Sequence, residues 1–211
     1  MGRLKTDSNR RPRAKRGQGT KLRDEVLDVA EKLLLEAGDP EAVSVRAIAA
    51  AASCTPPSIY LHFADKDELF SAVCERRFAE FERYAEAAAA GTDDPLESLR
   101  LRAKAYVRFG LDRPQQYRLL MVTPKRRSPD ELPGPSTASA VFQHLVDAVQ
   151  VCIDTGAFPA DPGPRPMALV LWAAIHGLTS LLITFPNLAW GDHDELVELM
   201  LDVQLEGLLA V

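Results

Sequence analysis

The chain has 211 residues, 46% hydrophobic and 26% charged, enough for one large helical domain or a small head joined to a larger body. A net charge of −5 excludes a protein that binds polyanions over its whole surface, but the charge is unevenly spread. Residues 1–25 hold nine Lys or Arg against three Asp or Glu, whereas residues 26–211 hold sixteen against twenty-seven. A basic end on an acidic body points to a local anion-binding surface, with nucleic acid or acidic membrane as candidate partners. Cys54, Cys74 and Cys152 are widely spaced and form no CxxC pair, so they frame neither a disulfide scaffold nor a zinc site. A reducing cytoplasm fits them best. The first residues carry charge without the apolar stretch of a signal peptide.

In chain order, residues 1–18 are polar, basic and rich in Arg, Pro and Gly, and read as a flexible arm. Leu22, Val26, Val29, Leu33 and Ala37 form a helical stripe that stops at Gly38-Asp39-Pro40. Ser44 is placed to cap a short alanine-rich helix that breaks at Ser53-Cys54. Thr55 opens a second short helix, TPPSIYLHF, in which Thr55 is expected to cap the first amides and Pro56 and Pro57 fill the first turn. Asp65 and Glu68 then start a long helix to about Ala90. Asp94-Pro95 opens the next helix, which ends near Asp112, and Pro114 opens a shorter one. The stretch 123–136, with four prolines, reads as a loop. Helices are expected at 137–155, 166–185 and 192–211. No segment alternates with β-branched enrichment, so the fold class is all-α with about nine helices.

Two short helices after a long one make a helix-turn-helix at about 43–63 within a head of residues 19–66. The second starts with its positive end toward a phosphate-rich groove, and Thr55, Ser58, Leu61 and His62 are its exposed side chains, placed to meet base edges or backbone. Ile48, Ile59 and Phe63 are assigned to the core.

The segment SVRAIAAAASCTPPSIYLHFADKDEL, residues 44–69, resembles the helix-turn-helix signature of the TetR-type transcriptional regulators. Ile48, Ala49, Ala52, Ile59, Tyr60, Phe63, Lys66 and Leu69 carry the match. The resemblance implies a homodimer on a near-palindromic DNA operator, with the helix from Thr55 in the major groove. It also implies a C-terminal domain, here 67–211, that binds a small ligand and dimerises through its last two helices. By motif placement Tyr60, His62 and Lys66 meet phosphates, Arg46 reaches backbone or a guanine, and Pro56 lies on the reading helix. The family places glycine in the turn where this chain has Ser53, and a left-handed serine costs about 1 kcal/mol.

Farther on, Trp172-Ala-Ala-Ile-His176-Gly177 resembles the W..HG pattern of one subclass of the family's ligand domains. Trp172 and His176 share a helix face, as effector-pocket groups or as core and interface packing. Tyr106, Phe109, Tyr117, Met121 and Phe142 are the bulky candidates for the walls of an apolar pocket, and serve equally as core. His62, His144, His176 and His193 are scattered without metal-ligand spacing, and no cofactor is expected. There is no GxSxG elbow, phosphate-cradling glycine loop or HExxH, so no catalytic residue is assigned and an enzyme is not expected. The expectation is a cytoplasmic, nucleoid-associated repressor released by a small apolar effector. The alternative is a membrane-associated adaptor that uses the uncharged helix 166–185.

Overall fold

The computed structural model describes residues 18–122 and 137–209; the basic arm and the proline-rich stretch lie outside the described residues. In order come α1 (Gln18–Ala37), a 3₁₀ turn (Pro40–Ala42), α2 (Val45–Ala51), α3 (Pro56–Ile59) and α4 (Lys66–Ala89). Then follow α5 (Pro95–Asp112), α6 (Pro114–Tyr117) continuing as a π-helical turn (Arg118–Val122), α7 (Thr137–Asp154), α8 (Pro164–Thr184) and α9 (His193–Leu209). Among the described residues there is no strand. The chain forms two compact units that meet between Val73 and Cys74, inside α4.

In the first unit the chain turns where its local chemistry requires. Gly38 takes φ +67° and its amide closes α1 on the Leu34 carbonyl at 3.0 Å. Ser44 Oγ accepts from the Ala47 amide at 3.1 Å and starts α2. Val26, Leu27, Ala30 and Leu34 of α1 are buried, as are Val43, Ile48, Ala49, Ile59, Phe63, Leu69 and Val73. Each large apolar side chain among these stabilises the head by roughly 1.5–3 kcal/mol. Asp65 Oδ1 accepts from the Glu68 amide at 2.7 Å, and the Glu68 carboxylate reaches back to the Ala64 amide, so the start of α4 is tied from both sides.

The second unit packs α8 against α5, α7 and α9. Asp94 Oδ1 accepts from the Leu96 amide at 3.0 Å, with Pro95 at the first position of α5, and Gly156 at φ +75° follows α7. Helix α8 starts at Pro164 rather than Pro166, because Pro164 serves as well as a first-turn residue, and this brings Arg165 into the helix. At the α5–α8 crossing a Cβ on Gly110 would lie 2.4 Å from Thr179 Cγ2, so only glycine fits there. Helices α5 and α9 run antiparallel along a charge ladder: Arg100 with Glu198 and Asp202, Lys104 with Glu198, and Arg108 with Asp194 at 3.8 Å. The fourfold spacing of both rows puts each on one helix face.

Candidate nucleic-acid interface and cavity

The head's outer face is built from α3 and its flanks. From Val45 to Ala64 the sequence holds no carboxylate, so nothing on this stretch repels a phosphate backbone. Between Ile59 and Phe63, both buried, Tyr60 and Leu61 face outward at 50% and 83% exposure. Thr55 and Arg46 are exposed, and Pro56, Ser58, His62 and Lys66 half-buried. All eight DNA-contact candidates therefore present surface. Arg23 lies over the Phe63 ring at 5.2 Å and Lys66 over Phe70 at 5.1 Å, which steadies the cationic groups beside α3.

Thr55 departs from expectation. Its side chain caps no amide; Thr55 Oγ1 pairs instead with Ser58 Oγ at 2.8 Å. Pro56 and Pro57 have no N–H, and the first remaining amide, that of Ser58, already donates to the Thr55 carbonyl at 2.9 Å. Both hydroxyls thus sit together on the outer face. The turn before α3 follows expectation, with Ser53 left-handed at φ 52°.

In the second unit a cavity of about 270 Å³ opens among α4, α5, α7, α8 and α9. Tyr106, Met121, Phe142 and Trp172, four of the expected wall residues, line it. Phe78, Phe81, Leu171 and Ile175 add to its apolar wall, with further aliphatic side chains from α5, α7 and α9. Phe109, Tyr117 and His176 do not reach the wall; packing behind it has taken them. Phe109 meets Phe81 edge-on with centroids 5.1 Å apart. Tyr117 and Tyr106 place their hydroxyls 2.7 and 3.0 Å from His176 Nδ1, and Ser180 Oγ lies 3.3 Å from the Tyr117 hydroxyl. Burial holds both phenols above their usual range and pushes the imidazole below its own, so a neutral ring that accepts at Nδ1 suits the cluster.

The polar rim escaped the sequence reading. Arg102 donates from Nη2 to Glu86 Oε2 at 2.9 Å and from Nη1 to Oε1, with Nε 3.3 Å from Ser98 Oγ. That hydrogen-bonded pairing lowers the Glu86 carboxyl below its usual range against the opposing effect of burial. Glu82 pairs with His144, which sits exposed at the rim. The available signal was the row Phe78, Glu82, Ala85, Glu86 along one face of α4, where carboxylates interrupt an apolar stripe.

Residues 26–73 match the family model for bacterial regulatory proteins of the tetR family, and residues 99–204 match the tetracyclin repressor-like C-terminal domain. No curated relative matches. NalD, the secondary repressor of the MexAB-OprM multidrug efflux pump in Pseudomonas aeruginosa, is 26% identical, with 90% of this chain and 98% of that one covered at a TM-score of 0.66. A protein of unknown function from Rhodococcus sp. RHA1 is 23% identical over 89% of this chain and 95% of that one, TM-score 0.72. The regulator FadR from Bacillus subtilis, in complex with stearoyl-CoA, is 16% identical over 87% and 98%, TM-score 0.70. The latter two share the fold.

Proposed function

This chain belongs to the tetR family of bacterial regulatory proteins, and on that premise we propose that it is a repressor that binds a near-palindromic operator as a homodimer and leaves it when an apolar effector fills the cavity. The observation that carries this reading is the outward, carboxylate-free face of α3, where Tyr60 and Leu61 are exposed between two core residues. Tyr60, His62 and Lys66 contact phosphates, Arg46 backbone or guanine, and Thr55, Ser58 and Leu61 base edges or backbone, with Pro56 beside them on the reading helix. The apolar wall of Tyr106, Met121, Phe142 and Trp172 supports an apolar effector, and the Bacillus subtilis regulator of the same fold is in complex with stearoyl-CoA, a ligand with a long apolar chain but a charged head. Tyr117 and His176 act from behind by fixing the Tyr106 hydroxyl, and Phe109 by packing on Phe81. Phe78, Phe81, Glu82, Ala85 and Glu86 of the cavity stand on α4, whose first residue is Lys66, so the effector has a covalently continuous helix to act through. A coupling of about 1–3 kcal/mol is typical for such switches.

Dimerisation through α8 and α9 is supported by two largely exposed stripes. Val170, Ala173, Gly177 and Leu181 lie at helical spacing on α8, and Leu199, Val203 and Gly207 on α9. A Cβ at Gly177 or Gly207 would meet nothing within 4 Å among the described residues, which leaves room for a second copy. Helix α8 is long and apolar enough to cross a membrane by length and composition. Its packing on three helices, with Met167, Leu171, Ile175 and Leu182 buried, favours the regulator over the membrane adaptor. The protein works in the cytoplasm, where its DNA is.

The test is binding to DNA from upstream of the protein's own gene across a salt series. Selective binding that weakens steeply with salt, and falls at least tenfold in Tyr60→Ala, is the expected outcome. Equal affinity for random DNA, unchanged in Tyr60→Ala, would count against the assigned face.

A further inference from the structure

The charge of the cavity narrows what enters it. Of the described residues that line it, Glu82 and Glu86 are acidic, Arg102 is basic and His144 is an imidazole. Arg165 lies over the Phe142 ring at 5.3 Å without lining the cavity. Arg102 is already held, with two hydrogen bonds to Glu86 and its Nε near Ser98. An anionic ligand would have to break that fork while facing two carboxylates. Glu82 is different: its partner is His144, whose side chain is exposed to solvent. A protonated amine entering the rim can take the place of the imidazole at the Glu82 carboxylate, and His144 swings into solvent. Five rings line the same cavity, Phe78, Phe81, Tyr106, Phe142 and Trp172. Their faces attract cations and their bodies accommodate an apolar chain. A volume of about 270 Å³ suits a small molecule.

We infer that the effector is an apolar molecule with one protonated amine, anchored by the Glu82 carboxylate at the cavity rim. This rests on the reading of the cavity as the effector site and adds to it the charge and the anchoring residue.

The experiment is a calorimetric titration of the full chain, without DNA, with octylamine, octanol and octanoate at pH 7. The three share a chain and differ in their heads, so octanol reports on the apolar cavity alone. Octylamine is expected to bind at least tenfold more tightly than octanol, and octanoate more weakly than octanol. In Glu82→Gln the amine should lose its advantage over octanol, and in Glu82→Lys octanoate should overtake octylamine. If Glu82→Lys does not fold, Glu82→Gln decides. Octanoate equal to or tighter than octylamine in the unaltered chain, an amine preference that survives substitution of Glu82, or no binding of any of the three would each overturn the assignment. Operator binding measured on the same preparations without ligand separates the two claims. Selective DNA binding beside a failed amine preference sinks only the ligand class, whereas lost DNA selectivity sinks the regulator.

Discussion

At Ser53 the backbone between α2 and α3 takes φ 52°, a conformation that costs a residue with a Cβ about 1–2 kcal/mol and glycine almost nothing. Ser53→Gly should therefore stabilise the protein by about 0.5–1 kcal/mol, the remainder being offset by the greater freedom of glycine in the unfolded chain. A urea melt measures it, and a variant no more stable than its parent would show that the turn is unstrained. His176 makes a second prediction at this scale. Burial lowers its pKa in the fold, while in the unfolded chain it stays near 6.5. Below pH 6.5 the unfolded chain gains a proton that the folded ring resists, so stability falls as pH drops through that window and is complete above it. Melting temperature from pH 8 down to about pH 5 should decline less in His176→Asn, which keeps an acceptor near the Tyr117 hydroxyl but does not titrate. Parallel slopes in the two proteins would place the titrating group elsewhere.

Among elements, the α5–α8 crossing is the most exacting contact. Gly110→Ala would drive a methyl into Thr179 Cγ2, with Tyr117 Cδ2 at 3.2 Å and Ile183 Cδ1 at 3.3 Å behind it. Such overpacking costs about 1–3 kcal/mol. Thr179→Ser removes the obstructing methyl and keeps the hydroxyl that donates to the Ile175 carbonyl at 2.7 Å, so the double variant should recover part of the loss. Additive losses in a double-mutant cycle would refute direct contact. Most elements were legible in the sequence because their ends are local: Gly38, Ser44, Asp94-Pro95 and Gly156 act on amides and dihedrals within a few residues. The exposure of the proposed reading face was legible for the same reason, since all its candidate residues fall between 46 and 66. Thr55 defeated the capping rule because the prolines that mark the helix start also remove the donors a cap needs. The cavity was half legible. Its rings follow from bulk and spacing, but whether Tyr117 and His176 line a wall or brace it depends on contacts 59 and 70 residues apart in sequence. The Arg102–Glu86 rim and the α5–α9 ladder also join distant residues, which no local pattern announces.

For the whole molecule, the division of labour follows the two units. A four-residue α3 offers little surface for selective reading, and on the proposed function the second unit supplies both the sensing cavity and the apolar stripes of α8 and α9 that would bring two heads together. Two heads related by a twofold axis require two half-sites in inverted orientation, spaced by whole turns of DNA, about 34 Å each. The most direct measurement is selection of fragmented genomic DNA by the purified protein, followed by sequencing, beside a Tyr60→Ala control. The account predicts a small set of fragments that share an inverted repeat and disappear in the control. Fragments enriched no more than in the control, with no shared repeat, would contradict it.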